Sequence, residues 1–219
     1  MTIIRIRGDY NTIQIGDDYC NLAFMSKGVV TSGGGSYSLA TVTVTGRSPL
    51  LFLRPTQGYC CVQSVTNSGN TWTFTIGMQS GVTQCAYYVF DTIPGPSSEP
   101  YTIRLRNALG EVTFDAAYKY LRVLDAVALA DGFSDTNVAA PSGFTVAAAF
   151  SDPGWFLLQV NQPAGGAPQY PWAYSFYMNG GICQCARIPT VSYQVPPGSI
   201  QVGSGQSPSS VIFIDVTNL

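Results

Sequence analysis

From Thr71 to Ile76 the chain alternates without a break, with Trp72, Phe74 and Ile76 on one side and Thr71, Thr73 and Thr75 on the other. A period of two places successive side chains on opposite faces of a strand, so this segment predicts a β-strand with one face against a core. Tyr37 to Thr45 repeats the pattern, with Ala40, Val42 and Val44 on one side. Tyr101 to Arg106 does so again, and here the alternation predicts Ile103 and Leu105 inward and Arg104 and Arg106 outward. Turn residues punctuate these runs at Gly16-Asp17-Asp18, Gly33 to Gly35, Asn67 to Asn70, Pro94 to Pro96 and Asn107 to Gly110. Short alternating runs between such turns predict an all-β chain folded as an antiparallel sandwich, two β units in tandem.

One segment fits two periods. Over 117–131, Tyr118, Leu121, Leu124 and Ala128 suit a helix, while Leu121, Val123, Val127 and Leu129 suit a strand. The β-rich surroundings favour the strand. Two segments offer a boundary. Pro94 to Pro100 carries three prolines that cannot join a central ladder, and Asp131 to Gly143 is rich in Asp, Ser, Asn and Gly. The hairpin around Gly110 looks continuous with what precedes it. The division expected is therefore an N-terminal β-sandwich over 1–130 and a Pro-, Gly- and aromatic-rich β unit over 131–219.

Charge and histidine narrow the chemistry. Only 10% of the 219 residues are charged, and histidine is absent, which removes Ser-His-Asp triads, Cys-His pairs and histidine-held metals. The net charge of −2 leaves no basic stripe for phosphates, so no nucleic-acid partner is expected. No apolar run approaches the ~20 residues of a membrane span, and no membrane insertion is expected. Met1 to Arg7 alternates instead of building an apolar signal core, which reads as a protein made in the cytoplasm without a secretion signal.

Six cysteines remain, namely Cys20, Cys60, Cys61, Cys85, Cys183 and Cys185. None has the C-x-x-C spacing of zinc or redox motifs, and they read as buried thiols in preference to disulfides or metal ligands. The carboxylates Asp17, Asp18, Asp115, Asp125, Asp131, Asp135, Asp152, Glu99 and Glu111 read as turn residues, with no catalytic pair, calcium loop or phosphate-binding motif among them. No enzyme activity, cofactor or metal is expected. In the C-terminal half, Trp155, Tyr170, Trp172 and Tyr174 are the candidate ligand contacts, because exposed rings can stack on sugar C–H faces. Trp172, Tyr174 and Phe176 are two apart, however, and core or interface packing is the favoured reading of that stretch.

The stretch Tyr101-Thr-Ile-Arg-Leu-Arg-Asn-Ala-Leu-Gly-Glu-Val-Thr-Phe-Asp115, followed by Lys119 to Val123, resembles a sequence found in small virion proteins of tailed bacteriophages. Ile15 to Ala23 is similar to openings in the same group, and Tyr87-Tyr88-Val89-Phe90-Asp91 fits it as well. The resemblance covers about the first 125 residues. It implies a non-enzymatic structural subunit of the tail tip, baseplate or fibre, located in the virion. It also implies a homo-oligomer, a trimer in many such proteins, in contact with other phage tail proteins. The 1–130 unit would then attach to the tail or build the oligomer. A receptor-binding module contacting a host cell-surface glycan or pilus through the C-terminal aromatics is the alternative, and a capsid decoration protein a weaker one. The scarcity of charge suits subunit contacts, where charge is depleted and Tyr, Trp and Arg are enriched.

Overall fold

The computed structural model describes residues 6–7, 13–15, 21–35, 37–130, 135–152, 155–159, 167–190, 193–195, 204–206 and 208–219. Among them there is no helix, and none is therefore long and apolar enough to cross a membrane. The strands run β1 (Ile6–Arg7), β2 (Ile13–Ile15), β3 (Leu22–Thr31), β4 (Ser38–Thr45), β5 (Leu50–Arg54), β6 (Cys60–Ser68) and β7 (Thr71–Met78). Then come β8 (Gln84–Thr92), β9 (Arg104–Arg106), β10 (Val112–Asp115), β11 (Val123–Ala128), β12 (Thr136–Ala139) and β13 (Val146–Phe150). The last are β14 (Trp155–Gln159), β15 (Ala167–Asn179), β16 (Ile182–Pro189), β17 (Tyr193–Val195), β18 (Ser204–Gln206) and β19 (Ser210–Asp215).

Two large antiparallel sheets pack face to face as a β-sandwich. One has the order β11-β19-β13-β5-β8-β3. The other follows β12-β16-β15-β6-β7-β4, with β14, β17 and β18 attached beside β15. The alternating strands behave as their pattern requires. In β7, Phe74 and Ile76 are buried and Thr71 is exposed, and β7 pairs with β4 from Ser38↔Met78 to Thr45↔Thr71 without a slip. Val42, Phe74, Ile76, Phe176, Leu53, Val89, Val211 and Phe213 meet in the core between the sheets. Burying each large apolar side chain contributes roughly 1.5–3 kcal/mol.

The runs Leu51-Phe52-Leu53 and Val211-Ile212-Phe213-Ile214 are apolar throughout because their sheet is covered on both faces. Leu51, Leu53, Val211 and Phe213 face the other sheet. Phe52, Phe90, Ala147 and Ile214 face outward into a second cluster, which takes in Leu121 from the stretch after β10 and Leu219 near β19. Phe24 N–H donates to Lys119 O and Leu121 N–H to Leu22 O, tying that stretch to β3.

The division at 130 is not followed by the hydrogen bonding. β13 and β19 lie between β11 and β5, with Ala148 opposite Leu53 and Ala126 opposite Ile212. β15 meets β6 at Phe176↔Cys60. Strands from 1–130 and 131–219 thus share both sheets instead of forming an N-terminal sandwich and a separate C-terminal β unit. The proline-rich stretch 94–100 is not a linker either, because Ser97 N–H donates to Asp115 and Ser97 O accepts from Arg104. Over 117–131 the strand reading holds for β11, preceded by a turn and an isolated bridge between Tyr120 and Ala23.

Candidate functional site

The hairpin β9–β10 is built around a buried carboxylate. Asp115 closes β10 and is fully buried. Its Oδ2 accepts from Arg104 Nε at 2.8 Å and from Ser97 N–H at 2.8 Å, and its Oδ1 accepts from Thr102 Oγ1 at 2.9 Å and Ala117 N–H at 3.0 Å. The Arg104 guanidinium reaches on to Ser97 O at 2.7 Å and Glu99 O at 2.6 Å. Burial raises the Asp115 pKa, but the Arg104 and Ser97 hydrogen bonds outweigh it and hold the carboxyl well below the usual carboxylate range. The Asn-x-x-Gly turn is equally determined. Asn107 Oδ1 accepts from Leu109 and Glu111 N–H, and Gly110 takes φ of 82°.

This network reverses the expected facing at residues 103 and 104, while Arg106 is exposed as the alternation predicts and Leu105 is half-buried. Arg104 turns inward because its partner is buried, and Ile103 and Tyr101 turn out, 70% and 97% exposed. Leu109 at the tip is 84% exposed. Three large apolar side chains therefore stand in solvent on one small hairpin, with their backbone fixed by an ion pair behind them. The sequence signal for this was available. An alternating strand beside Phe114-Asp115 lets Arg104 be either a solvated or a paired residue, and only the partner decides.

The four aromatic candidates lie along β14 and β15. Trp155 is opposite Ala173 and Tyr170 opposite Leu158; the side chains of Trp155 and Tyr170 lie outside the described residues. Tyr174 is 3% exposed and belongs to the core between the sheets, so it offers no surface for a saccharide. Trp172 is half-buried, and its buried indole N–H has no hydrogen-bond partner among the described residues.

Beside them the sheet forks. Trp172 and Ala173 pair with both β14 and β16, and Phe176 with both β6 and β16, so β14 takes over the edge of β15 that β6 leaves. At this fork the described residues line a cavity of about 590 Å³, including Leu51, Val62, Phe74, Phe150, Tyr174 and Phe176. Ser48, Ser64 and Ser151 also border it, and none of the residues lining it is charged. Such a lining can hold an apolar body but has no acid, base or activated nucleophile to offer.

The described cysteines are buried and unpaired. Cys183 and Cys185 share a face of β16 with sulfurs 3.9 Å apart, in contact but unbonded. Cys85 and burial push the Cys60 thiol up, Cys185 and burial do the same for Cys183, and burial does so for Cys61. Burial keeps a reagent from all five, so Cys60, Cys61, Cys85, Cys183 and Cys185 are expected to resist an aromatic disulfide reagent in the folded protein and to react after unfolding in guanidinium. Rapid native labelling of any of these five, read by peptide mass spectrometry, would contradict their burial. Cys20 lies outside the described residues.

Other carboxylates also serve the backbone. Asp152 accepts from Ser151 Oγ and from Ser209 N–H and Oγ, which lower its pKa, and Asp91 accepts from Arg47, Ser48 and Thr92 N–H. Asp17, Asp18 and Asp131 lie outside the described residues. Among the described residues no three His, Cys, Asp or Glu side chains gather as a metal site. No family model, curated protein or solved structure matches the chain.

Proposed function

We propose that the chain is a structural subunit of a bacteriophage tail, at the tip, baseplate or fibre, and that it acts through contacts with other subunits and without catalysis. The observation that carries this reading is the hairpin β9–β10, which holds Tyr101, Ile103 and Leu109 in solvent on a backbone pinned by Asp115 and Arg104. Apolar groups displayed on a rigid support favour burial against a partner. The hairpin is also the stretch whose sequence, Tyr101 to Asp115, resembles small virion proteins of tailed phages, which supplies the setting. The partners would be copies of this chain and neighbouring tail proteins.

A receptor-binding role through β14–β15 is the second reading. The indole N–H of Trp172, without a partner among the described residues, favours it, since a ligand acceptor could complete that group. Tyr174, buried in the core, takes no part.

Antibody labelling of intact particles, imaged by electron microscopy, tests the assignment. Label at the tail end is expected. Label on the capsid, or particles without the protein, would sink it.

A further inference from the structure

We propose that β4 is a docking edge on which a second copy of this chain lays its own β4, antiparallel about a two-fold axis, so that one sheet runs from copy to copy. This rests on the subunit-contact reading above and names one of the contacts. β4 ends the path of its sheet, and among the described residues β7 is its one hydrogen-bonded neighbour. An edge strand presents a row of unpaired N–H and C=O groups to solvent.

Proteins guard such edges with charges, prolines, bulges or short strands, and the other three strands that end the two sheet paths are guarded. β3 slips register between Phe24 and Ser26 and carries Lys27. β11 slips between Val123 and Asp125 and carries that aspartate. β12 is four residues long. β4 has eight residues, a continuous register, and no charge, proline or glycine.

Its pattern also complements itself. Thr41, Thr43 and Thr45 are exposed, while Ala40, Val42 and Val44 face the core side. Across a two-fold in an antiparallel pair, each residue meets one of the same facing, so the uncharged outer row of Leu39, Thr41, Thr43 and Thr45 meets its own copy and the core-side row meets its own. A hydroxyl both donates and accepts, so a threonine row can pair with its own copy. Thr43 and Thr73 already do this within the chain, Oγ1 to Oγ1 at 3.4 Å.

The rows continue inward as Thr41–Thr75–Ser64, Thr43–Thr73–Thr66 and Thr45–Thr71–Ser68, without a charge in the grid. No like-charge repulsion opposes the meeting of two copies. The contact yields a dimer; a trimer would use a different surface.

Sedimentation of the purified chain over a range of concentrations is the test, with Thr41→Lys/Thr43→Lys as the edge variant. In each register that centres the two-fold on residues 41 to 43, the new lysines of the two copies face one another. Self-association of the wild type is expected, with the dissociation constant raised roughly tenfold or more in the edge variant. Hydrogen exchange should show β4 amides protected in the associated form and released in the variant. Ser64→Lys/Thr66→Lys, on the outer face of β6 away from the edge, should leave association unchanged, and circular dichroism checks that each variant is folded. A wild type that stays monomeric throughout overturns the proposal, as does association that survives the edge variant. So does association lost only in the β6 variant, which would mean sheets stacking by their faces. Tail labelling of particles is read independently, so a monomeric chain that labels the tail would overturn the edge contact and leave the tail reading standing.

Discussion

Asp115→Ala is expected to lower the stability of the chain by roughly 2–3 kcal/mol, the cost of stranding the donors that the carboxylate satisfies, with the part-exposed Arg104 left to solvent. The carboxylate gathers Arg104, Ser97, Thr102 and Ala117, so its loss frees the stretch 94–102 as well as the hairpin. Urea unfolding would show a much lower midpoint, and hydrogen exchange would show the loss at the 94–117 amides first. Acid should act on the same group. Its folded-state pKa is depressed, so the stabilisation is complete above the unfolded value of about 3.9 and fades as pH falls below it. Asp152 and Asp215, also held low by their hydrogen bonds, add in the same direction. Asp115→Asn should therefore be less stable than wild type at neutral pH, and the gap should narrow as pH drops below about 4. A gap that is constant from neutral pH to acid would mean that the charge of Asp115 contributes nothing.

The second large effect is expected at Gly46. A Cβ there would sit 2.0 Å from Asp91 Oδ2, inside any tolerable contact. Asp91 is 2% exposed and accepts from Arg47 N–H at 2.7 Å, Ser48 N–H at 2.9 Å and Thr92 N–H at 2.6 Å. Gly46→Ala must push this carboxylate off its donors, at a cost of roughly 2–3 kcal/mol. Asp91→Ala should cost a similar amount by stranding the same N–H groups. The double variant should cost little more than Asp91→Ala alone, because the clash goes with the carboxylate. Additive losses in thermal or urea unfolding would show that Gly46 matters for some other reason.

Both residues show what could be read from the sequence. The strands were legible where alternation was strong, as in Thr71 to Ile76 and Tyr37 to Thr45, because a half-buried strand leaves its period in the residues. By sequence alone Asp115 suits a turn and Arg104 a solvated face, since alternation records which positions differ, not which face is inside. That was set by a partner eleven residues away. The sandwich followed from short strands and turns, but β13 and β19 joining the sheet of β5 and β8 did not, because pairing across such distances leaves no local trace. Tyr174 was ambiguous in the same way, an aromatic suited to a ligand or to a core, and neighbours on the opposite sheet placed it in the core.

The proposed role requires the chain to be covered by its neighbours on assembly. Hydrogen-exchange mass spectrometry of the isolated chain against the same protein in assembled particles tests it most directly, read over residues 101–110. Amides at the exposed hairpin are expected to become strongly protected on assembly. Exchange over 101–110 that is as fast in the particle as in the isolated chain would contradict it.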